Sequence, residues 1–363
     1  MIEYENLHDA NKAFLREYVS SFEETLDRGW FILGGAVQKF EEEFAAYVGI
    51  RHCVGVASGL DALILSIKAL HIPEGSEILL PANTYVATIL AALHCRCVPV
   101  LVEPDPATCN IDPGRLEELV SPRTRAVMVV HLYGKPCDMD PIMTVINKHN
   151  LLLIEDCAQS HGARYKGVMT GTFGHASAFS FYPTKNLGAL GDAGAVVTSD
   201  PAVAEEVRKL RNYGSSTKYF NDVVGYNSRL DEIQAGFLSV KLKRLEEINN
   251  HKRSLATIYS DTLSQQFRKP LVHPDFHDVY HIYNVRHPRR DALREHLLRH
   301  DIKTEIHYPV PPHRQKALEQ YFRGKEFPVS DEIHRTTLSL PISFAHSAED
   351  VTRVAEVMNS FPE

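Results

Sequence analysis

Leu151-Leu-Leu-Ile-Glu-Asp156 is a short, almost continuously apolar run that ends in two carboxylates. Such a run is typical of a strand buried on both faces, as in a parallel sheet covered by helices. Asp156 then lies at the carboxyl end of the strand, which is the edge where open α/β sheets bind their ligands. The alternative for Asp156 is a structural role, in which the carboxylate only accepts hydrogen bonds from loop amides.

Six further runs of this kind lie before and after this strand, and they alternate with helical patterns between Val54 and Thr198. This alternation predicts βα units that build an α/β fold with a mostly parallel, seven-stranded sheet covered by helices. A helix is expected to begin directly after Ser58-Gly59. We expect the seven strands at Cys53–Ala57, Glu77–Leu80, Val98–Val102, Ala126–His131, Leu151–Glu155, Ala176–Phe181 and Ala195–Thr198.

The pattern changes in the last third of the chain. Ser228, with Asp231 three residues later, is expected to cap a helix that runs past Leu245. We therefore divide the chain into a large domain, residues 1–249, and a small C-terminal α+β domain, residues 250–363. Within the small domain we expect strands at Val279–Val285 and Thr304–His307, a helix at Asp291–Arg299 and a final helix from Ala348.

Composition excludes several classes of function. The 363 residues carry 39 Lys and Arg against 46 Asp and Glu, a formal charge of −7, without the basic excess that nucleic-acid binding needs. No run approaches the roughly 18–20 apolar residues of a membrane span, and Met1–Ala10 does not resemble a secretory leader. We expect a cytoplasmic protein whose partners are small molecules, with no nucleic acid and no membrane among them.

A second segment, Ser180-Phe-Tyr-Pro-Thr-Lys-Asn186, places a lysine just after another buried strand and before the glycine-rich run Gly188–Gly194. Near apolar strand ends a lysine has a lowered pKa, and its neutral amine can form a Schiff base. A surface lysine is the alternative for Lys185. The glycine-rich run lacks the Lys-Ser/Thr ending of a P-loop and precedes a strand, which argues against a nucleotide-binding loop.

Two more features complete a candidate cofactor site. Ser58-Gly59-Leu60-Asp61 lies where a strand turns into a helix, so its free N–H groups can hold a phosphate. Tyr85 follows another strand and can lay its ring over a flat heterocycle. An unoccupied helix cap and a core tyrosine are the alternatives. Together with Asp156 beside a pyridine nitrogen and Lys185 as the Schiff-base lysine, these parts predict a site for pyridoxal 5'-phosphate (PLP).

Over nearly all its length the chain resembles the fold-type-I, PLP-dependent enzymes of the DegT/StrS nucleotide-sugar aminotransferase family. The matching runs are Gly29–Gly34, Val56–Gly59, Pro81–Thr84, His131–Gly134, Ile154–Gln159 with His161-Gly162, Ser180–Asn186 and Asn227–Glu232. Two departures from the family pattern are Leu60, where threonine is usual, and Thr184, where glycine is common. Neither removes the predicted chemistry.

This resemblance implies a role for each site residue. Lys185 would carry the cofactor, Asp156 would pair with its ring nitrogen and Gln159 would meet its ring hydroxyl. The phosphate would be held by Gly59, Leu60 and Ser180, helped by Asn227 from the other subunit of a homodimer. The nucleotide sugar would be reached by Arg229, His307 and Tyr308.

The resemblance also implies an activity. Gly29–Gly35, Gly59–Leu63 and Pro81–Tyr85 look most like the dTDP-3-amino-3,6-dideoxyhexose aminotransferases. We therefore expect transfer of an amino group from glutamate to C3 of a dTDP-3-keto-6-deoxyhexose. Amination at C4 of a 4-keto sugar is the alternative. A PLP-binding regulator would need a DNA-binding segment, and a sugar-binding module without PLP would leave Lys185 and Asp156 without a role.

Eight histidines between His273 and His313 raise the alternative of a metal site. His296 and His300 are spaced to share one helix face, but no carboxylate completes a His-Glu-x-x-His zinc motif. We expect no metal. Most of these histidines are expected to be exposed to solvent on a basic helix, with His307 as the exception.

Overall fold

The computed structural model describes residues 1–217 and 219–362. Its central sheet has seven strands: β1 His52–Val56, β2 Glu77–Pro81, β3 Val98–Val102, β4 Thr124–Val130, β5 Leu152–Asp156, β6 Ala176–Ser180 and β7 Gly194–Thr198. Their order in the sheet is β1-β7-β6-β5-β4-β2-β3. All neighbouring strands are parallel except β7, which is antiparallel to both β1 and β6. The α/β class and the mostly parallel sheet are thus confirmed.

Helices cover both faces of this sheet, because alternate strand residues point to opposite sides. Ile154 of β5 packs in a core with the helix that follows β1, whereas Leu153 packs in a separate core on the other face. The α-helices are α1 Leu7–Asn11, α2 Leu15–Arg28, α3 Gly35–Val48, α4 Gly59–Ala69, α5 Val86–His94, α6 Met139–His149, α7 Pro201–Leu210, α8 Glu232–Leu242, α9 Leu245–Thr262, α10 Arg290–Arg299, α11 Glu319–Phe322, α12 Pro328–Thr336 and α13 Ala348–Asn359. Among the described residues no helix is both long and apolar enough to cross a membrane.

The C-terminal part has its own apolar core. Helices α9, α10 and α13 contribute to it, together with an antiparallel pair of strands, β8 Tyr283–Arg286 and β9 Thr337–Leu340. The proposed boundary between residues 249 and 250 falls within α9. The division into two domains stays a prediction.

Three predicted elements of this region differ from the structure. The strand expected at Val279–Val285 begins only at Tyr283 and ends at Arg286. The helix expected at Ser228 begins at Glu232 and ends at Leu242. The Ser228 hydroxyl instead accepts from the N–H of Ala57 (3.2 Å) and donates to Asp61 (2.8 Å), so it connects this segment to the start of α4. The strand expected at Thr304–His307 is reduced to a single bridge between Glu305 and Ser339.

Candidate active site

A cavity of about 510 Å³ lies at the carboxyl ends of the parallel strands. The turns after β1, β2, β5 and β6 reach it, and so does a segment of the C-terminal part. This arrangement is the one expected for a ligand site in an open α/β sheet. Of the residues predicted from sequence, the cavity brings together Gly59, Leu60, Tyr85, Asp156, Gln159, Ser180, Lys185, His307 and Tyr308.

Lys185 lies in a tight turn after β6. Its N–H donates to the carbonyl of Tyr182 (2.8 Å), and a side chain at Gly188 would lie 2.2 Å from the carbonyl oxygen of Pro183. The turn therefore needs glycine for a close approach of backbone to backbone. Burial lowers the pKa of the Lys185 ammonium to about 8, and the negative charge of Asp156 opposes this change. The amine is thus partly neutral at physiological pH, as a nucleophile must be.

Asp156 is the last residue of β5 and is buried. Its carboxylate accepts hydrogen bonds from the N–H of Ala158 (3.1 Å) and from the Thr88 hydroxyl (2.9 Å). Burial raises the pKa of this carboxyl, while the hydrogen bonds and the charge of Lys185 oppose the rise. A cationic ligand nitrogen beside Asp156 would stabilise its charged form.

Gln159 connects two tyrosines on the same side of the cavity. Its side-chain oxygen accepts from the N–H of Tyr133 (2.6 Å), and its amide nitrogen donates to the hydroxyl of Tyr308 (3.0 Å). Tyr308 in turn packs against the ring of Tyr85, with 5.2 Å between the ring centroids. Because Tyr85 is 53% exposed, its ring lines the cavity and is not part of the core.

The turn from β1 into α4 forms an anion cradle. Ser58 caps α4 by accepting from the N–H of Asp61 (3.1 Å), which leaves the first N–H groups of the helix pointing towards the cavity. A side chain at Gly59 would lie 2.5 Å from the Cβ of Ser180. Glycine at this position therefore lets the helix start approach Ser180 closely, as a shared phosphate site requires.

Asn227 and Arg229 do not line this cavity. Asn227 is exposed, and the Arg229 guanidinium donates to Asn212 (3.1 Å) and lies 5.4 Å from the ring centre of Tyr213. The structure of the single chain thus separates these two predicted residues from the rest of the site.

Sequence reasoning missed two side chains that contact the central pair, Asp156 and Lys185. Thr88 supports Asp156, and His281 Nε2 lies 3.4 Å from Lys185 Nζ. Thr88 carried no signal apart from its place on the helix after the Pro81–Tyr85 turn. His281 belongs to the group of eight histidines and could have been singled out only by knowing that the chain returns to Lys185.

The prediction that most of these eight histidines are exposed was wrong. Only His273, His277 and His300 are exposed in the described structure, whereas His287 and His313 are buried and His281, His296 and His307 are half-buried. The error arose because only His296 and His300 lie in or next to α10, the one basic helix of this region, whereas His281, His287, His307 and His313 lie in segments that are packed against neighbouring parts of the chain.

Another titratable cluster, His131, Glu155 and Cys157, lies beneath the site, with its potential ligand atoms within 4.8 Å of one another. His131 Nε2 lies 2.9 Å from Glu155, and its Nδ1 accepts from the N–H of Cys137 (3.0 Å). Glu155 also accepts hydrogen bonds from three backbone N–H groups of one loop, those of Gly171, Phe173 and Gly174. These hydrogen bonds give the cluster a structural role, in which it holds the 171–174 loop against β5.

The residues of the cavity fit PLP. The helix start at Gly59 suits a phosphate, the buried Asp156 carboxylate suits a protonated ring nitrogen, and Lys185 presents an amine of lowered pKa. Two other buried lysines, Lys241 and Lys252, also have a pKa lowered to about 8 by burial. They do not line the cavity. Lys185 therefore differs from these two lysines in its position and not in its pKa.

The family model of DegT/DnrJ/EryC1/StrS aminotransferases matches residues 14–359. The chain belongs to this family. It is 48% identical over 362 residues to a dTDP-3-amino-3,6-dideoxy-alpha-D-galactopyranose transaminase of Aneurinibacillus thermoaerophilus, which covers 99% of both chains. It is 43% identical to a dTDP-3-amino-3,4,6-trideoxy-alpha-D-glucose transaminase of Streptomyces venezuelae, over 93% of this chain and 90% of that one.

Solved structures agree with this assignment. The crystal structure of S. venezuelae DesV in complex with a ketimine intermediate superposes with a TM-score of 0.95 at 42% identity, covering 98% of this chain and 96% of that one. This member of the DegT/DnrJ/EryC1/StrS family is therefore a PLP-dependent sugar aminotransferase. The predicted family, fold, enzyme class and cofactor are confirmed.

Proposed function

We propose that this aminotransferase transfers an amino group from glutamate to C3 of a dTDP-linked 3-keto-6-deoxyhexose. The observation that carries the proposal is whole-chain similarity to two relatives, at 48% and 43% identity, whose names both specify a dTDP-3-amino sugar. Both names place the nitrogen at C3 although their sugars differ at C4. We also propose the cytoplasm as its location, which cell fractionation would test.

PLP, when bound, supplies the carbonyl that exchanges amino groups and an electron sink for the substrate carbanion. In the proposed mechanism Lys185 holds the cofactor and later moves the proton at the substrate carbon with its amine. Asp156 keeps the ring nitrogen protonated, and Gln159 orients the ring hydroxyl. Gly59, Leu60 and Ser180 hold the phosphate. Leu60 contributes only its N–H, because it lacks the hydroxyl that is usual in the family.

His307 and Tyr308 support the proposal that a hexose is held beside Lys185. Their carbonyls accept from the Tyr133 hydroxyl (2.5 Å) and from His334 Nδ1 (2.7 Å), respectively, and His307 Nδ1 lies 2.9 Å from the Ser339 hydroxyl. Burial and the charge of Lys185 lower the pKa of His307 to about 4. Its imidazole is therefore neutral at physiological pH and would recognise sugar hydroxyls by hydrogen bonding.

The regiochemistry is tested directly by the product. With glutamate as donor, we expect turnover of a dTDP-3-keto-6-deoxyhexose to a product whose NMR spectrum places nitrogen at C3. The 4-keto isomer is expected to react at least about tenfold more slowly, because a pose shifted by one ring carbon misaligns the reacting atoms. Nitrogen at C4, or turnover of 4-keto sugars alone, would overturn the C3 assignment. A donor panel run with the same sugar tests glutamate separately.

We also propose a homodimer with two shared sites. The segment that carries Asn227 and Arg229 exposes several large apolar side chains, including Phe220 at 67%, Val224 at 93% and Tyr226 at 37%. An exposed apolar patch of this kind is typical of a protein–protein interface. In the proposed dimer, Asn227 would reach the partner's phosphate and Arg229 the partner's nucleotide sugar.

Mixing two inactive variants tests these shared sites. Lys185→Ala removes the amine from a chain's own site, and Asn227→Asp places a negative charge against the phosphate of the partner's site. In a mixed dimer the two defects fall in one site and leave the other intact. We therefore expect up to about half of the wild-type activity per mixed dimer. Each variant mixed with itself is the control, and mixed dimers without activity would contradict shared sites.

A further inference from the structure

The imidazole of His281 contacts Lys185 at the base of the cavity. Its Nε2 lies 3.4 Å from Lys185 Nζ, and its Nδ1 is buried with no hydrogen-bond partner among the described residues. His281 lines the same cavity as Asp156 and His307. Among the described residues, the lysine amine is thus the one polar contact that the ring makes.

The backbone holds His281 in this position from several directions. Two residues earlier, the N–H of Val279 donates to the carbonyl of Gly134 (3.0 Å), and the Val279 carbonyl accepts from the side-chain amide of Asn186 (2.9 Å). The carbonyl of His281 accepts from Lys252 Nζ (3.2 Å). Asn186 directly follows Lys185, so the lysine turn and the histidine segment are fastened to each other.

The surrounding charges decide which group donates. Burial lowers the pKa of His281 well below its usual value, and the nearby ammonium groups of Lys185 and Lys252 lower it further. The imidazole is therefore neutral at physiological pH. The Lys185 ammonium, with a pKa of about 8, is still largely protonated there. The lysine thus donates and the imidazole Nε2 accepts.

We propose that His281 is a positioning residue for Lys185, which accepts a hydrogen bond from its amine and keeps that amine aimed into the cavity. The inference rests on the proposed function, since it takes Lys185 as the lysine that moves the proton. A lysine released from the cofactor has four flexible side-chain bonds, and an acceptor at a fixed place restricts them. The proton is then delivered from a defined position.

The apo-enzyme provides the first test, because it reports on the amine without any turnover. The rate of Lys185 acetylation by acetic anhydride, followed by peptide mass spectrometry across a pH series, measures the fraction of neutral amine. We expect a wild-type midpoint near 8. His281→Leu removes the acceptor and destabilises the ammonium, so its midpoint should fall. His281→Gln, whose amide oxygen can reach the amine, should stay close to wild type.

Two further variants and one kinetic measurement complete the test. His281→Asn keeps a polar side chain but is too short to reach the amine, and it should resemble His281→Leu even if the leucine variant folds poorly. His277→Leu, an exposed histidine of the same segment, is the matched control and should leave the midpoint unchanged. In the holoenzyme we expect His281→Asn to lower kcat by about ten- to a hundredfold with little change in KM.

An unchanged midpoint in both His281→Leu and His281→Asn would overturn the positioning role. A folded Lys185→Ala protein that retains wild-type transamination would instead overturn the proposed role of the lysine itself. The two failures are therefore distinguishable, because the first is read in the apo-enzyme and the second in turnover.

Discussion

Lys185→Ala is expected to lower kcat for transamination by about 10⁴-fold or more, because one substitution removes both the nucleophile and the proton carrier. The alanine fits the turn without strain, since the backbone there is held by the Lys185 N–H and by Gly188. The variant should therefore fold and retain the remaining cofactor contacts. Steady-state kinetics with glutamate and the keto sugar measure the loss, and added methylamine should restore a small fraction of the rate.

Borohydride reduction of the wild-type holoenzyme identifies the lysine independently of kinetics. We expect peptide mapping to place the reduced cofactor on Lys185. The control is Lys241→Met, which removes a second buried lysine with a similarly lowered pKa outside the cavity and should leave the labelled peptide unchanged. Label on Lys241 or Lys252 would contradict the assignment, because it would show that a lysine outside the cavity carries the cofactor.

The sheet and its ligand edge were predictable from sequence because their signals are local. A strand buried on both faces must be apolar at nearly every position, and seven such runs are present in the first 200 residues. Asp156 and Lys185 each directly follow one of these runs. Parallel strands carry their carboxyl ends to one edge, so both groups meet there whatever the exact order of the strands.

The later part was less predictable because its elements depend on packing between distant segments. Ser228 and Asp231 have the spacing of a helix cap, but the Ser228 hydroxyl finds partners 171 and 167 residues away at Ala57 and Asp61. The segment near Glu305 likewise forms only one bridge, to Ser339, and Ile302, three residues earlier, bridges to Ile2 at the other end of the chain. Such tertiary contacts often override the local preference of a segment for helix or strand.

The same reasoning explains which site residues were missed. Thr88 reaches Asp156 across 68 residues of sequence, and His281 reaches Lys185 across 96. No spacing rule connects residues so far apart. Gln159 and Tyr85, in contrast, lie in the turns that follow β5 and β2, and strand-end position was enough to select them.

Asp156→Asn is expected to lower kcat by about 10²- to 10³-fold, because it removes a charge that is aimed at the ring nitrogen while preserving side-chain volume. The asparagine can keep the contacts to Ala158 and Thr88, so the local structure should change little. Without the negative charge, the ring nitrogen loses its proton more readily and the electron sink weakens. Thr88→Val is the matched control: it deletes one hydrogen bond to the carboxylate but keeps the charge, and should cost about tenfold at most.

The pH dependence of the affinity for PLP distinguishes the effect of the Asp156 charge from the effect of its packing. Burial raises the pKa of the Asp156 carboxyl, so in the apo-enzyme it takes up a proton at higher pH than an exposed aspartate does. A cationic ring nitrogen binds the ionised carboxylate, and affinity for PLP should therefore decrease as the pH falls through that pKa. Asp156→Asn has no carboxyl to protonate and should lose this part of the pH dependence, whereas Thr88→Val should retain it. Titrations of both apo variants with PLP at several pH values measure the difference. An acid-side decrease that is equal in wild type and Asp156→Asn would assign the pH effect to another group.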